Sequence, residues 1–113
     1  MVKYVKASNS NLASAEVNLH NDSNNPVWVI GNIIVDGTVY EVRAKVFLEN
    51  SQFGINKGSI SKLYIAKDGK CIASYDRGWD VKPSDENKEV YKIITKSVKD
   101  FRKNHPYEVD ELD

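Results

Sequence analysis

The sequence predicts an α+β fold: an antiparallel β-meander of four to five strands with one C-terminal amphipathic helix packed on the sheet. The signs are two β-rich hairpins that each turn at an Asp-Gly pair, another strand-like segment before them, and one helical period at the end. With 113 residues, 41% of them hydrophobic, the chain suits one domain with its own core. Sixteen Lys and Arg residues balance sixteen Asp and Glu residues, so net charge does not indicate a nucleic-acid partner.

The N-terminal region is expected to add strands to this domain. Ala15, Val17 and Leu19 alternate with polar residues, which predicts a strand that ends in the polar run 21–25. A weaker alternation predicts a short strand at Val2–Val5. Lysine, serine and asparagine interrupt the region, so it lacks the apolar stretch of a secretory signal, and the chain has no apolar run that could span a membrane. With only one cysteine, the chain is expected to be cytoplasmic and to have no membrane contact.

The first hairpin, residues 27–49, is the strongest local pattern. Asp36 and Gly37 suit a type I′ turn, in which both central residues need a positive φ. A two-residue loop there places Val35 opposite Thr38 and sets the register of both strands. That register collects apolar side chains on one face: Val27, Val29, Ile33, Val35, Tyr40, Val42, Ala44 and Val46.

The opposite face of this hairpin mixes charged and apolar side chains. The charged ones are Glu41, Arg43, Lys45 and Glu49. The apolar ones are Trp28, Ile30, Ile34, Val39 and Phe47. Because monomers seldom leave large apolar patches open, we expect another element to cover this face, and the alternative is an exposed binding patch.

A second hairpin is predicted at residues 59–75, with its turn at Asp68 and Gly69. Both of its faces carry apolar residues, which favours a central position in the sheet. The loop before it contains Gly54 and Gly58, four residues apart, and is expected to have a defined shape.

From Ser84 the hydrophobic pattern changes to a helical period, and Pro106 is expected to end the helix. Its apolar stripe consists of Val90, Ile93, Ile94, Val98 and Phe101. We therefore divide the chain into N-terminal strands and a polar loop at 1–25, a single α+β domain at 26–105, and an acidic C-terminal tail at 106–113. The first of these belongs to the same domain as the second.

The sequence contains no recognisable catalytic or cofactor motif. His20 and His105 stand apart from any acidic repeat, and Cys71 follows a tight turn where packing is its ordinary role. Gly54 and Gly58 lack the strand–helix context of a phosphate loop. The sequence thus predicts a protein that is not an enzyme and that has no cofactor and no metal site.

The segment Tyr75–Asp80 is the densest group of chemically active side chains. In one interpretation it is a structural corner, in which Trp79 closes the edge of the core and Arg77 pairs with an aspartate. In another it is a binding site, since Trp, Arg and Tyr dominate interface hot spots. A small hydrolase built on Asp76 and Asp80 is a third hypothesis, which lacks the defined pocket that such chemistry needs.

Five lysines project from the helix opposite its apolar stripe: Lys88, Lys92, Lys96, Lys99 and Lys103. Such a row could follow the phosphates of a nucleic acid, in which case binding would weaken steeply with salt. The more ordinary interpretation is a solvated face that serves solubility.

Five strings carry a family resemblance: Gly31-Asn32-Ile33-Ile34-Val35-Asp36-Gly37, Ala44-Lys45-Val46-Phe47, Phe53-Gly54-Ile55-Asn56, Ile60-Ser61-Lys62-Leu63 and Tyr75-Asp76-Arg77-Gly78-Trp79-Asp80. From Val27 to Phe101 the chain resembles a family of small domains of unknown function from bacteria, their phages and other mobile elements. The resemblance implies an intracellular accessory protein and supplies no catalytic residue. The region before Asn25 falls outside it.

The leading hypothesis is a non-enzymatic binding module that acts by contact with an unidentified protein partner. Its candidate contact residues are Trp28, Phe53, Asn56, Arg77, Trp79 and Asp80. Self-association to a homo-oligomer through an uncovered strand edge is one variant of this hypothesis. The alternative is a nucleic-acid-binding protein that uses the five helix lysines.

Overall fold

A computed structural model describes residues 2–5 and 14–108, with the side chains of residues 15–108. In these segments seven strands form one antiparallel sheet in sequence order, and one α-helix packs on it, which confirms the predicted α+β class. The strands are β1 (Val2–Val5), β2 (Ser14–Asn21), β3 (Trp28–Val35), β4 (Thr38–Val46), β5 (Ile60–Lys67), β6 (Lys70–Asp76) and β7 (Trp79–Val81). The helix α1 is Lys88–Asn104, and short 3-10 turns lie at Ile55–Lys57 and Asp85–Asn87. No described helix is long and apolar enough to cross a membrane.

The β3–β4 hairpin has the predicted register. Val35 lies opposite Thr38 and Val29 lies opposite Ala44, and the intervening pairs follow in step. Asp36 and Gly37 have φ angles of 48° and 84°, as a type I′ turn requires. The Asp-Gly turn between β5 and β6 also has positive φ angles at both residues. Turn chemistry and hydrophobic alternation therefore act together to fix both hairpins.

The sheet is larger than the expected four to five strands. Both N-terminal segments form strands, and the three-residue β7 adds an edge strand that the sequence pattern did not predict. β7 pairs with the end of β6, where Trp79 lies opposite Tyr75. Three residues are too few to show an alternating pattern, so the sequence did not predict β7.

The core lies between one face of the sheet and the apolar stripe of α1. On the helix, Val90, Ile94 and Val98 are buried. They pack with the inward residues of the strands, among them Val17, Val29, Ile33, Val42, Ala44, Ile60, Leu63, Ile65 and Ala73. The helix thus covers the face predicted to be apolar.

The opposite face of the sheet stays uncovered by any described element, so the expected cover is not present there. Helix α1 packs over β2, β3 and β4 on the core side. On the other side, Trp28, Ile30 and Ile34 are half-buried among neighbouring side chains, while Val39 is 49% exposed. We call this surface the open face.

Arg102 fastens the end of α1 to the sheet. It is 3% exposed, and its guanidinium donates to five acceptors at 2.7–3.0 Å. These acceptors are the carbonyl oxygens of Pro26, Val27, Val46 and His105 and the side-chain oxygen of Asn21. Burial lowers the pKa of Arg102, and Tyr107, whose ring lies 4.8 Å from the guanidinium carbon, partly offsets this. The start of β3 and the end of α1 therefore share one buried cation.

Candidate functional site

The open face is organised in rows that cross the strands. Strand pairing aligns one row across β3 to β6, which consists of Trp28, Lys45, Lys62 and Asp76. The next row consists of Ile30, Arg43, Tyr64 and Ser74. Directly opposed side chains on one face lie within contact distance of each other. The two rows therefore place aromatic and basic side chains together at one corner of the face.

A shallow depression of about 230 Å³ marks this corner. Trp28, Arg43, Lys62, Tyr64 and Asp76 line it, and the Arg43 guanidinium carbon lies 5.5 Å from the centroid of the Trp28 ring. A cation at this distance is attracted by the electron-rich face of the ring. The corner thus combines an aromatic surface with positive charge.

One ion pair neutralises part of that charge. The Lys62 ammonium lies 3.8 Å from a carboxylate oxygen of Asp76, and the two side chains are 35% and 53% exposed. An ion pair so exposed to water contributes little to the free energy of folding, at most about 1 kcal/mol. Lys45 instead has its ammonium 5.5 Å from the centroid of the Phe47 ring. Arg43 and Lys45 therefore leave the corner with a net positive charge.

The remainder of the open face is more apolar. Ile30, Ile34 and Val39 continue the surface away from the corner, and the Asn18 side-chain amide donates to the Asn32 side-chain oxygen at 3.0 Å. Phe47, expected on this face, lies just beyond the bulge at the end of β4 and lines a groove beside the helix. The face thus changes from charged and aromatic at one end to aliphatic at the other.

Trp79 lies on the core side of the sheet, not on the open face. Its ring makes edge contacts with Tyr75 at 5.1 Å and with Tyr91 of the helix at 5.6 Å, centroid to centroid. The Tyr75 hydroxyl donates to the Phe53 carbonyl oxygen at 3.0 Å. Burial, followed by the charge of Tyr75, raises the pKa of Tyr91. These contacts are those of a core edge closed by an aromatic cluster.

The turn from β6 to β7 is bent by backbone geometry at Arg77. Its φ is 60°, whereas Gly78 does not have a positive φ. The Asp76 amide donates to the Gly78 carbonyl oxygen at 2.8 Å and closes the turn. Asp76 pairs with Lys62, and no ion pair joins Arg77 to an aspartate in the described part of the chain.

The six contact residues predicted from the sequence do not form one surface. Because Trp28 aligns with Lys62 while Trp79 aligns with Leu63, the two tryptophans lie on opposite faces of the sheet. The other four are exposed and belong to loops or edges: Phe53 (53% exposed) and Asn56 before β5, and Arg77 and Asp80 around the β6–β7 turn. Of the six, Trp28 is the residue that strand pairing aligns with the rows of the open face.

Four of the five predicted lysines line a single groove. The groove has a volume of about 710 Å³ and runs between α1 and the loop 47–59, where Phe47 and Leu48 form its apolar side. We call it the lysine groove. Its lysines are Lys92, Lys96, Lys99 and Lys103, and Arg102 and Asp100 also line it. Lys88 lies outside and pairs with Asp85 at 3.1 Å.

Ion pairs occupy only part of the lysine groove. Lys96 lies 3.0 Å from a carboxylate oxygen of Asp100, and Lys92 lies 4.0 Å from one of Glu89. Lys99 and Lys103 form no ion pair with the described residues. The end of the groove near the helix C-terminus therefore holds two lysines without an ion pair to any residue in 15–108.

Neither surface assembles a recognisable reaction centre. The carboxylates proposed for a hydrolase, Asp76 and Asp80, are both exposed, and the first is ion-paired. Within residues 2–5 and 14–108, no group of three or more His, Cys, Asp or Glu side chains could hold a metal ion. Cys71 is half-buried, with its sulfur 3.5 Å from the Ala73 carbonyl oxygen.

Sequence reasoning missed Tyr64 and Lys62 as members of the open face. They join Trp28 and Arg43 only through the β4–β5 pairing, which follows a thirteen-residue connection between Val46 and Ile60. The register of a hairpin can be predicted from the sequence of a tight turn, but a long loop gives no such information. The signal available was the polar–apolar alternation of β5, which carries no partner information.

Comparison with protein families gives one match. The model of a domain of unknown function, DUF7678, matches residues 27–99, which run from just before β3 into α1. No curated protein and no solved structure shows significant similarity to the chain. The matched region contains the corner of the open face and most of the lysine groove.

Proposed function

The chain belongs to the DUF7678 family of domains of unknown function, and we propose that it is a non-enzymatic binding module that contacts another protein through the open face. One observation carries the proposal. The helix covers a single side of the sheet, and the other side presents Trp28, Tyr64 and a row of aliphatic residues without a described element over them. Exposed apolar surface of this kind is typical of interaction sites.

The composition of the open face favours a protein over a nucleic acid. Its described acidic and basic residues balance: Glu16, Glu41 and Asp76 against Arg43, Lys45 and Lys62. Carboxylates on the same surface repel phosphates, so the face lacks the continuous positive potential that nucleic-acid binding needs. Ile30, Ile34 and Val39 suit the apolar core of a protein interface, and Trp28 with Arg43 suits its hot spot.

The charge distribution also specifies the partner's chemistry. The positive corner of Arg43 and Lys45 adjoins the aromatic surface, while the far end of the face is aliphatic. A complementary partner presents an apolar patch with acidic residues along one margin. The open face is thus a surface for a protein of that kind.

The test compares two aromatic substitutions. A partner captured with the wild-type chain is purified, and its Kd is measured for the wild type, Trp28→Ala and Phe53→Ala. Trp28→Ala is expected to weaken binding by about 30-fold or more, as removal of a hot-spot aromatic does. Phe53→Ala removes an aromatic side chain, 53% exposed, from outside the open face and is expected to leave Kd unchanged.

Three results would contradict the proposal. They are an unchanged Kd for Trp28→Ala with an intact fold by circular dichroism, a larger loss for Phe53→Ala than for Trp28→Ala, and a bound species that nuclease removes. Sedimentation of the chain alone provides a further check, because a stable dimer lost in Trp28→Ala would assign the open face to a second copy instead.

A second candidate function rests on the lysine groove. Four lysines converge on one groove, which a plain solubility face would not require. If they contact four phosphates of duplex DNA, affinity should fall about 100-fold between 50 and 200 mM salt. Fluorescence anisotropy with single- and double-stranded DNA and RNA checks this, and no binding at 50 mM salt would remove the candidate.

The cellular setting is part of the same proposal. We place the chain in the cytoplasm, as an accessory protein of a phage or mobile element. Support comes from the single free thiol of Cys71, which a reducing compartment preserves, and from the motif resemblance between Val27 and Phe101.

A further inference from the structure

The outer edge of β6 is only partly covered by β7. β7 pairs with β6 at Ser74 and Tyr75, whereas residues 70–73 face β5 on one side and no described strand on the other. The sequence contains a reason for this short pairing. Pro83, two residues after the end of β7, has no amide hydrogen and cannot continue a ladder of hydrogen bonds. The first part of β6 therefore has a free edge.

The backbone groups of Cys71 point outward at this free edge. In a hairpin with a two-residue loop, the pair that flanks the loop exchanges hydrogen bonds, and the next pair does not. Lys67 and Lys70 flank the turn between β5 and β6, and the next pair is Cys71 with Ala66. The amide and carbonyl of Cys71 therefore point away from β5, towards the position that a further strand would take.

A cleft of about 470 Å³ lies against the free edge. Its lining comes from two segments, one within residues 67–72 at the end of the β5–β6 hairpin and one within residues 81–87, which lead from β7 to the helix. Ile72 and Val81, the latter 39% exposed, supply its apolar surface. Its charged residues nearly balance: Lys67, Lys70 and Lys82 against Asp68 and Glu86. A strand edge beside apolar side chains suits an extended peptide better than it suits an ion.

We propose that an extended segment of another protein binds in this cleft and adds to the edge of β6 as a further strand. Its backbone pairs with the outward amide and carbonyl of Cys71, and its apolar side chains pack on Ile72 and Val81. A second copy of the chain is a poorer occupant, because two such edges would bring their lysines together: Lys67, Lys70 and Lys82 of each. The cleft shares no lining residue with the corner of the open face, so this inference is independent of the contact proposed there.

The test measures the affinity of a synthetic probe for the full chain by fluorescence anisotropy under reducing conditions. The probe is a labelled, blocked peptide of about six residues, the usual length of a strand, in which valine and threonine alternate. The control peptide has the same sequence with its backbone amides N-methylated, so that they cannot donate hydrogen bonds. The probe is expected to bind with a Kd below about 1 mM, and the control peptide about tenfold or more weakly. In two-dimensional NMR, the probe should shift the amides of residues 70–73 and 81–82.

Two variants of the chain test the same hydrogen bonds from the other side. Cys71→Pro removes the outward amide hydrogen, a change that an edge strand tolerates because this hydrogen bonds no neighbouring strand. Cys71→Ser keeps the amide hydrogen and is the matched control. Cys71→Ser is expected to bind the probe about tenfold more tightly than Cys71→Pro does.

The proposal is overturned if the probe does not bind saturably, if both peptides bind the wild type equally well, or if the shifted amides lie away from the cleft. Equal affinities of the two variants, both with an intact fold by circular dichroism, would also overturn it. If Cys71→Pro does not fold, the two peptides on the wild-type chain decide alone. Sedimentation tests the remaining occupant: a dimer that Cys71→Ser forms and a folded Cys71→Pro does not would assign the edge to a second copy and overturn the proposal.

Discussion

Replacing Arg102 by methionine tests whether one buried cation fastens the helix to the sheet. Methionine keeps the length and much of the apolar stem of arginine but removes all five hydrogen bonds. The Val27 carbonyl oxygen retains the Val46 amide as a donor at 2.9 Å, so it is not left unpaired. The hydrogen bond between Arg102 and the Val46 carbonyl oxygen is buried, so the loss of this bond should cost the most free energy.

The expected loss of stability follows from these acceptors. An orphaned buried acceptor costs about 1–3 kcal/mol, whereas the partly buried acceptors, which water can reach, cost less than that each. The free energy of unfolding should therefore fall by about 4 kcal/mol, near the upper end for one substitution. An unfolding entropy of about 2.1 cal/mol/K per residue then predicts a decrease in Tm of about 17 °C for 113 residues.

Urea unfolding followed by far-ultraviolet circular dichroism measures this effect. Arg102→Lys keeps the positive charge but supplies three donors on a flexible stem, so it should lose about half as much. The control is Lys103→Met, which also replaces a cationic side chain by methionine but at the exposed neighbouring position, and it should stay within about 0.5 kcal/mol of wild type. A loss below about 1 kcal/mol for Arg102→Met, or one no larger than for Lys103→Met, would refute the reasoning.

Two further predictions concern backbone space and pH. Gly31→Ala should cost about 3 kcal/mol, because φ is +146° and a Cβ there would lie 2.0 Å from the Asn18 carbonyl oxygen. The control Gly69→Ala meets no atom within 4 Å and should cost only about 1 kcal/mol for its positive φ, and equal urea midpoints would contradict this. The raised pKa of Tyr91 means that the folded chain holds this proton more tightly than the unfolded chain, so stability should decline as pH rises above about 10. Tyr91→Phe should reduce that decline in urea unfolding series at increasing pH, and an unchanged slope would contradict the assignment.

The parts of this fold that sequence could predict are those fixed by local chemistry. The β3–β4 register follows from Asp36 and Gly37 together with the alternation on either side, and it is confirmed pair by pair. The amphipathic helix follows from a period of 3.6 residues, and its buried positions agree with Val90, Ile94 and Val98.

The parts that could not be predicted depend on contacts between distant segments. From the sequence alone, Arg102 is one of several cations near the end of the helix. Its hydrogen-bond partner Asn21 lies 81 residues away, so this contact cannot be inferred from local pattern. The same holds for the open face, because the side of the sheet that the described elements leave uncovered depends on where the helix packs. For the proposed binding site, the sequence identified Trp28 as a candidate contact, but the assignment of Trp28 and Trp79 to opposite faces needed the pairing of strands β3 to β7.

The strictly sequential order of the sheet has a consequence for how the chain folds. Each strand pairs with the strand next to it in sequence, so the contacts of the sheet join segments that are close in sequence, which lowers its contact order. Such a sheet can grow outward from either hairpin, and its end strands can fray without disturbing the middle. The helix and the hydrogen bonds of Arg102 oppose such independent fraying, because they join residues 21–27 to the end of α1. They convert a linear array of strands into a single cooperative unit.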